Sequence, residues 1–374
     1  MGVWRRVGRI GGFVLGGAVC GVVGFVGVMW MREWRPQQVE RLVGGAVGRA
    51  VTVEEGGSLL HRGDTIRLVS WNIGYAGLGD DMDFFYDGGT RMRTSRERTE
   101  RNLRRIVDFL SGEAASAGRG KRKPAADFIL LQEVDVDSRR SYRLNEFDSI
   151  RRALAAAGYD GWRGLNYRCD FVPIPLREPM GRVESGVATF SRWRPVQVVR
   201  YAYPGGFSFP VRLFNLKRCL LSTWIPVRDL ETGHIDTLFI NNTHNTAYDT
   251  GGMRNGEFAF LRGLLAGRRY TVTMGDWNSS PAGYCPAREA VEDPYFSPWP
   301  IDRADFPSEM TFVYDPETPS VRYGYEPYRA GKTTTTVVDF ALCGPGVEPI
   351  GVETLDFGFK NSDHNPVVAT FVIR

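Results

Sequence analysis

The 374-residue chain reads as an α/β protein in which sheets pack together with helices on the outside. Two observations predict this. Short β-rich runs recur: Ile66 to Trp71, Phe128 to Val134, Gly186 to Ser191, Leu220 to Ile225, Thr237 to Asn242, Tyr270 to Met274, Val337 to Leu342 and Val367 to Ile373. Three segments with helical apolar spacing are interspersed, and a minority of helices among many strands suits packed sheets covered by helices. Ser95 is placed to cap the first helix, whose Leu103, Ile106, Val107 and Leu110 share one face. Asn145 caps the second, with Phe147, Ile150 and Leu154 inward and Gly158 closing it. In the third, Phe258, Leu261, Leu264 and Leu265 line one face and Gly267 ends it.

Composition is ordinary for a globular protein, at 43% hydrophobic and 24% charged. A net charge of +4 is compatible with an anionic substrate or a membrane surface and too small to establish either. The five cysteines include no CxxC pair, which argues against a zinc site and leaves at most a disulfide or two.

The N-terminus carries its own expectation. Ile10 to Met31 is 22 residues without a charge, enough for about 33 Å of helix. Arg5, Arg6 and Arg9 precede it, so the positive-inside bias puts the N-terminus in the cytoplasm and the rest outside. A single-pass membrane anchor over residues 1–34 is therefore expected, with a cleaved signal peptide or acylation at Cys20 as the alternatives. Residues 35–63 read as a juxtamembrane connector, in which Val39, Leu42, Val43 and Ala46 could form one amphipathic stretch. The globular domain is expected over 64–374.

Chemistry concentrates where apolar runs end. Asn72 follows Leu68-Val69, and Glu133 follows Phe128-Ile129-Leu130-Leu131. A carboxylate leaving a buried strand needs a partner, and magnesium takes oxygen ligands of this kind. Gly275-Asp276-Trp277-Asn278 lets the chain turn sharply and points two polar groups at one pocket. His244 ends Leu238-Phe239-Ile240, and Asp339 lies within the apolar Val337-Val338-Asp339-Phe340. In Asn361-Ser362-Asp363-His364-Asn365-Pro366 an acid stands directly beside a histidine; Asp339 could orient His364, and Asp363 could join a metal shell. Taken singly, each has a plain structural explanation, such as a turn former, a strand-end acid or a hydrogen-bonded core histidine.

Their order along the chain is specific. Over Thr65 to Arg374 the series Ser-Trp-Asn72, Leu-Gln-Glu133, Gly186 to Arg192, Asn-Thr-His244, Gly-Asp276-Trp-Asn278, Val-Asp339-Phe and Ser-Asp363-His364-Asn365-Pro366 resembles the endonuclease/exonuclease/phosphatase superfamily. The resemblance implies a four-layer α/β sandwich of two packed mixed β-sheets flanked by helices, and magnesium-dependent hydrolysis of phosphate esters, with manganese or calcium as alternative ions. It implies that Asn72, Glu133 and Asp363 are metal ligands, that Asp276 and Asn278 position the attacking water and a phosphate oxygen, and that His364, supported by Asp339, acts on the phosphate. His244 matches the second histidine of the deoxyribonuclease and sphingomyelinase branches, where apurinic endonucleases usually carry a Tyr-Pro-Asn type of segment.

Specificity is expected in two stretches that overhang the site, Gly74 to Arg93 and the aromatic-rich Pro281 to Gly331. Arg182 and Arg322, with Arg168 and Arg177, are candidate substrate contacts. The resulting expectation is a membrane-anchored, magnesium-dependent phosphodiesterase acting on nucleic acid or on a phospholipid such as sphingomyelin. A phosphomonoesterase shares the same fold and site, and a catalytically silent membrane-anchored binding module is the contrasting class.

Overall fold

The computed structural model describes residues 2–42, 59–112, 126–249, 252–285 and 299–374, with side chains of the first helix described from residue 16. The first half of the chain forms α1 (Gly2–Met31), β1 (Val39–Leu42), β2 (Leu60–His61), β3 (Thr65–Asn72), α2 (Arg96–Leu110), β4 (Phe128–Asp135), α3 (Glu146–Ala155), β5 (Asp160–Val172), β6 (Gly181–Ser191) and β7 (Gln197–Ala202). The second half forms β8 (Cys219–Arg228), β9 (Ile235–His244), α4 (Met253–Leu265), β10 (Thr271–Asp276), β11 (Ser279–Ser280), β12 (Trp299–Pro300), β13 (Thr311–Val313), β14 (Val321–Arg322), β15 (Thr335–Thr336), β16 (Asp339–Cys343), β17 (Val347–Thr354) and β18 (Val367–Ile373).

One sheet runs β17-β18-β3-β4-β6-β5; the other runs β1-β7-β8-β9-β10-β16-β13, with β2 beside β8. Both are mixed, since β3 is parallel to β4 and antiparallel to β18, while β9 and β10 are parallel and β10 and β16 antiparallel. Two small pairs, β11-β12 and β14-β15, lie outside these sheets.

The period of two along each strand explains the layers. Ile66 and Leu68 of β3 pack with Phe128 and Leu130 of β4 against Leu238 and Ile240 of β9 and Val272 and Met274 of β10, forming the core between the sheets. The alternate residues Val69, Trp71, Ile129 and Leu131 face outward and are covered by Leu103 and Ile106 of α2 and Ile150 and Leu154 of α3. On the far side, Phe258, Leu261 and Leu265 of α4 cover Trp277 and Phe340. The two expected caps form: Ser95 accepts from the Arg98 amide and Asn145 from the Asp148 amide.

The inter-sheet stripes continue into polar residues at one edge. Along β3 the inward positions run Ile66, Leu68, Ser70, Asn72; along β9 they end at His244, along β10 at Asp276, and β16 begins with Asp339. At this edge a polar bridge joins the sheets, with Gln132 Nε2 donating to Asn242 Oδ1 at 2.8 Å and Asn242 Nδ2 to the Ala188 carbonyl at 2.9 Å. Trp277 anchors the same edge. It is fully buried, stacks on Phe340 with ring centroids 4.8 Å apart and donates to the Phe340 carbonyl. Trp277→Ala is expected to lose about 3–5 kcal/mol of stability, measured as a shift in the urea midpoint with an unchanged slope.

The N-terminal expectation is corrected here. Among the described residues no helix is long and apolar enough to cross a membrane, which overturns the single-pass anchor through Ile10 to Met31 and the extracytoplasmic placement built on it. The last turns of α1 are packed on the protein itself: Met29, with Phe25 and Val26, joins a cluster of Tyr167, Cys169, Val172, Met180 and Leu213. Phe25 stacks on Phe214 at 5.8 Å, and Arg32 pairs with Asp170. With Phe25 to Met29 docked in this way, the uncharged stretch that remains, residues 10–24, amounts to about 22 Å of helix, short of the roughly 30 Å of a hydrocarbon core.

Val39 to Leu42 of the expected connector is a strand paired antiparallel with β7; Val43 and Ala46 lie outside the described residues. All five cysteines are free thiols.

Candidate active site

Three neighbouring strands set one rung of the site. Asp276 at the end of β10 is in register with His244 at the end of β9 and with Asp339 at the start of β16. Gly275 makes this rung possible, because a Cβ there would lie 2.1 Å from the Thr243 carbonyl oxygen. The other sheet supplies Asn72 and Glu133. By strict alternation Glu133 would point away from the inter-sheet face, but the β4–β6 register shifts between Leu131 and Val134 and Glu133 adopts a φ of +55°. The bulge re-aims its carboxylate into the pocket. Asn278 also sits in the left-handed region, at φ +47°, the kind of strain that concentrates at functional sites.

The loop 361–366 is fastened across the end of β3. Trp71 Nε1 donates to the His364 carbonyl at 2.9 Å, Ser362 Oγ donates to the Asn72 carbonyl at 2.7 Å, and the Asn365 amide donates to the Ser320 carbonyl at 2.7 Å. Gly74, at φ +49°, lets Asp363 come close: a Cβ there would stand 2.9 Å from Asp363 Oδ1.

The side chains converge. His364 Nδ1 and Asp339 Oδ2 are 2.7 Å apart, while its Nε2 faces Asn72 Nδ2 at 3.4 Å and Asp276 Oδ2 at 3.8 Å. Asn72 Nδ2 donates to Asp276 Oδ2 at 2.9 Å and lies 3.4 Å from Glu133 Oε1. His244 Nε2 stands 3.3 Å from Asp276 Oδ2 and 3.9 Å from Glu133 Oε1. The Asn278 amide N–H donates to Asp276 Oδ1 at 2.9 Å and its Nδ2 to the Asn245 carbonyl at 3.0 Å. All eight expected residues (Asn72, Glu133, His244, Asp276, Asn278, Asp339, Asp363 and His364) therefore meet at one edge, and all but Asp339 line a single pocket of about 620 Å³.

Electrostatics drive the two histidines apart. Burial disfavours charge on His364, yet Asp339, Asp276 and Asp363 around it outweigh burial and hold its pKa well above that of ordinary imidazole. Burial, reinforced by Arg218, holds His244 below it. Burial works against ionisation of Asp276 too, but His364, His244 and Asn72 keep its carboxyl below the ordinary range. Burial pushes Asp339 up to about 6 against the pull of His364. Asp363 is likewise raised by burial to about 6, with the Glu133 charge adding to the effect.

These residues suit a cation. Asp276, Asp339 and His364 bring ligand atoms within 4.8 Å of one another, a buried group able to bind a metal. Because Asp339 and His364 already satisfy each other and His364 is biased toward imidazolium, the oxygen donors Asn72, Glu133 and Asp363 fit a hard divalent ion better. Their carboxylates repel one another, and the Asn72 amide would present its oxygen to an ion by turning over from its bond to the Gly74 amide at 3.0 Å. Asp339 Oδ1 and His244 Nδ1 are buried with no hydrogen-bond partner among the described residues.

The arginine expectations divide. Arg182 is consumed by Asp137 at 2.7 Å, Asp170 at 2.9 Å and Glu184 at 3.6 Å, and it does not line the pocket. Arg322 lines it, but its guanidinium donates to the carbonyls of Leu78, Gly79, Met82, Tyr323 and Glu326, a structural clamp on two loops. Arg168 and Arg177 are exposed and outside the pocket. Of the two overhanging stretches, Gly74 to Arg93 supplies Leu78, Phe84, Tyr86 and Asp87 to the pocket, whereas Pro281 to Gly331 supplies Val321 and Arg322 among its described residues. Its Tyr284 packs on Tyr314 and its Tyr328 on Phe359.

Supporting residues escaped the sequence reading. Glu257 of α4 accepts from Asn245 Nδ2 and from the Thr246 amide and hydroxyl, which fixes the loop after His244. Arg140 binds Asp135 through two hydrogen bonds and lies 3.8 Å over the Tyr75 ring. Both are charged residues in helix or loop context, and only the folded chain shows them buried.

Comparisons with known proteins bear on the fold and the family. No curated protein sequence matches the chain. An endonuclease/exonuclease/phosphatase from Beutenbergia cavernae superposes with a TM-score of 0.55 at 18% identity, covering 84% of this chain and 72% of that one. The human Nocturnin catalytic domain with bound sulfate gives 0.45 at 16% identity, covering 83% and 95%. A Bacteroides thetaiotaomicron mannosyl-6-phosphatase gives 0.47 at 13%, covering 82% and 100%. The family model described as Endonuclease/Exonuclease/phosphatase family matches residues 69–364, from the strand that carries Asn72 to His364. The chain thus belongs to the endonuclease/exonuclease/phosphatase family, whose members are hydrolases of phosphate esters and typically depend on a metal.

Proposed function

We propose that the chain is a magnesium-dependent phosphodiesterase, and the observation that carries this reading is the division of labour between its histidines. One pocket holds an imidazole biased toward its charged form, His364, and one biased toward neutrality, His244, with an ionised Asp276 between them. Residues whose environments separate their pKa values in this way are suited to distinct proton-transfer roles.

Asn72, Glu133 and Asp363 would hold the cation, and manganese or calcium would satisfy the same oxygen ligands. When bound, the ion neutralises charge on the phosphate oxygens, the principal requirement of phosphoryl transfer. Asp276 and Asn278 orient the attacking water, and His244, the imidazole biased toward neutrality, accepts its proton. As the P–O ester bond breaks, His364, held by Asp339 and biased toward its charged form, gives its proton to the leaving oxygen. The site is also compatible with monoesters, and a pocket of about 620 Å³ is of a size that accommodates a small phosphate ester, the second reading.

The test is a turnover screen of the full chain on plasmid DNA, RNA, sphingomyelin, phosphatidylinositol phosphates, p-nitrophenyl phosphate and bis-p-nitrophenyl phosphate. Magnesium should support hydrolysis and EDTA should reduce it at least about 10²-fold. Folded protein that turns over none of these with magnesium would sink the reading.

A further inference from the structure

The pocket has a second wall that none of the proposed chemistry uses. Arg35, Arg212, Lys217 and Arg218 all line it. Behind them lies Glu33, with only 4% of its side chain exposed, whose carboxylate sits 3.2 Å from Arg35, 3.4 Å from Arg212 and 3.3 Å from Lys217. Three cations thus share one carboxylate. The fourth, Arg218, donates to the His244 carbonyl at 3.2 Å, so this wall begins beside the catalytic edge.

An independent observation lies in the same wall. Asn166 of β5 is 2% exposed, lines the pocket, and its Nδ2 has no hydrogen-bond partner among the described residues. Its carbonyl accepts from the Lys217 amide at 2.7 Å, which places it beside the cations. A buried donor without an acceptor is destabilising, and an oxyanion is the acceptor that would satisfy it. Arg212 Nε is likewise buried and lacks the alignment of a hydrogen bond to Glu33.

The geometry points to a second anion subsite built from Arg35, Arg212, Lys217, Arg218 and the Asn166 amide, and to a substrate that carries a further phosphate group besides its scissile ester. The ester part of this inference rests on the phosphoesterase reading; the anion subsite does not. Because Arg35 follows α1 directly, the segment ahead of β1 forms part of the substrate pocket, and the full chain is the object to test.

Two chromogenic diesters with the same scissile bond serve as probes: thymidine 5′-(p-nitrophenyl phosphate) and its 3′-phosphorylated form, each with magnesium. The added phosphate should raise kcat/KM at least about tenfold, chiefly through KM. In R218Q, R35Q and N166A the ratio between the two probes should fall toward one. Equal kcat/KM in the unaltered chain overturns the subsite, as does a preference that persists in all three variants. Calorimetry with inorganic phosphate in EDTA gives a readout that needs no turnover. Without a cation the Glu133, Asp276 and Asp363 carboxylates repel phosphate, so binding reports the basic wall; it should weaken about tenfold in R218Q and persist in E133Q. Phosphate binding of this kind with neither diester hydrolysed would leave the subsite standing and remove the phosphoesterase reading. Hydrolysis of both diesters at equal rates with no phosphate binding would do the reverse.

Discussion

Replacing His364 by alanine is expected to lower kcat by about 10²–10⁴-fold, the contribution typical of a positioned proton-transfer group. The ring is fixed at three points. Its Nδ1 pairs with Asp339 at 2.7 Å, its Nε2 faces Asn72 and Asp276, and its backbone carbonyl accepts from Trp71. Since the Trp71 bond is made by the main chain, alanine keeps the loop in place while removing the imidazole. The loss should therefore fall on kcat, with the circular dichroism spectrum unchanged. Asp339→Asn should reproduce part of the defect, because it leaves the ring in place and removes the charge that favours its imidazolium form. A His364→Ala rate within threefold of the unaltered enzyme, in folded protein, would move the proton-transfer role elsewhere.

Glu133→Gln carries the second large effect, a fall of at least about 10² in magnesium-supported turnover, equivalent to about 2.7 kcal/mol of transition-state stabilisation. Glutamine keeps the volume and the bulged backbone but halves the oxygen ligands of the side chain and removes its charge. Stability without metal should move the other way. Glu133 stands near the acids Asp276 and Asp363, so neutralising it relieves repulsion, and the metal-free variant should unfold at an equal or slightly higher urea concentration. Calorimetric titration with manganese separates the two effects: weakened binding with unimpaired stability identifies a ligand, whereas lost stability with retained binding identifies a structural acid.

Much of the edge that bears these residues was legible because polar residues interrupt an otherwise apolar alternation. Asn72, His244, Asp276 and Asp339 each continue the buried stripe of a strand, and a buried stripe that turns polar is conspicuous in sequence. The caps Ser95 and Asn145 were legible for a local reason, namely the side-chain oxygen needed at a helix start. Strand β5 was not, because Gly164 and Asn166 occupy buried positions and break the apolar alternation that marks a strand. Strand β1 is four residues with partial burial, too short for its period to be told from a helical one. Residues 10–31 misled because hydropathy measures aversion to water and does not say what replaces the water. For Phe25, Val26 and Met29 the replacement is the protein's own surface. Arg218 and Asn166 carried no signal at all, since their interest lies in which neighbours they lack once folded.

The polar bridge between Gln132 and Asn242 has a consequence for how the enzyme tolerates change. The proposed cation ligands hang from one sheet and the His244–Asp276–Asp339 rung from the other, so the candidate site is a seam whose width is set by everything packed beneath it. Substitutions deep in the apolar filling, such as at Leu130 or Met274, would act as spacers of altered thickness and change the rate without touching substrate. Sites of this construction are tuned from the inside, and variants of altered activity should be sought in the layer between the sheets as readily as in the pocket wall.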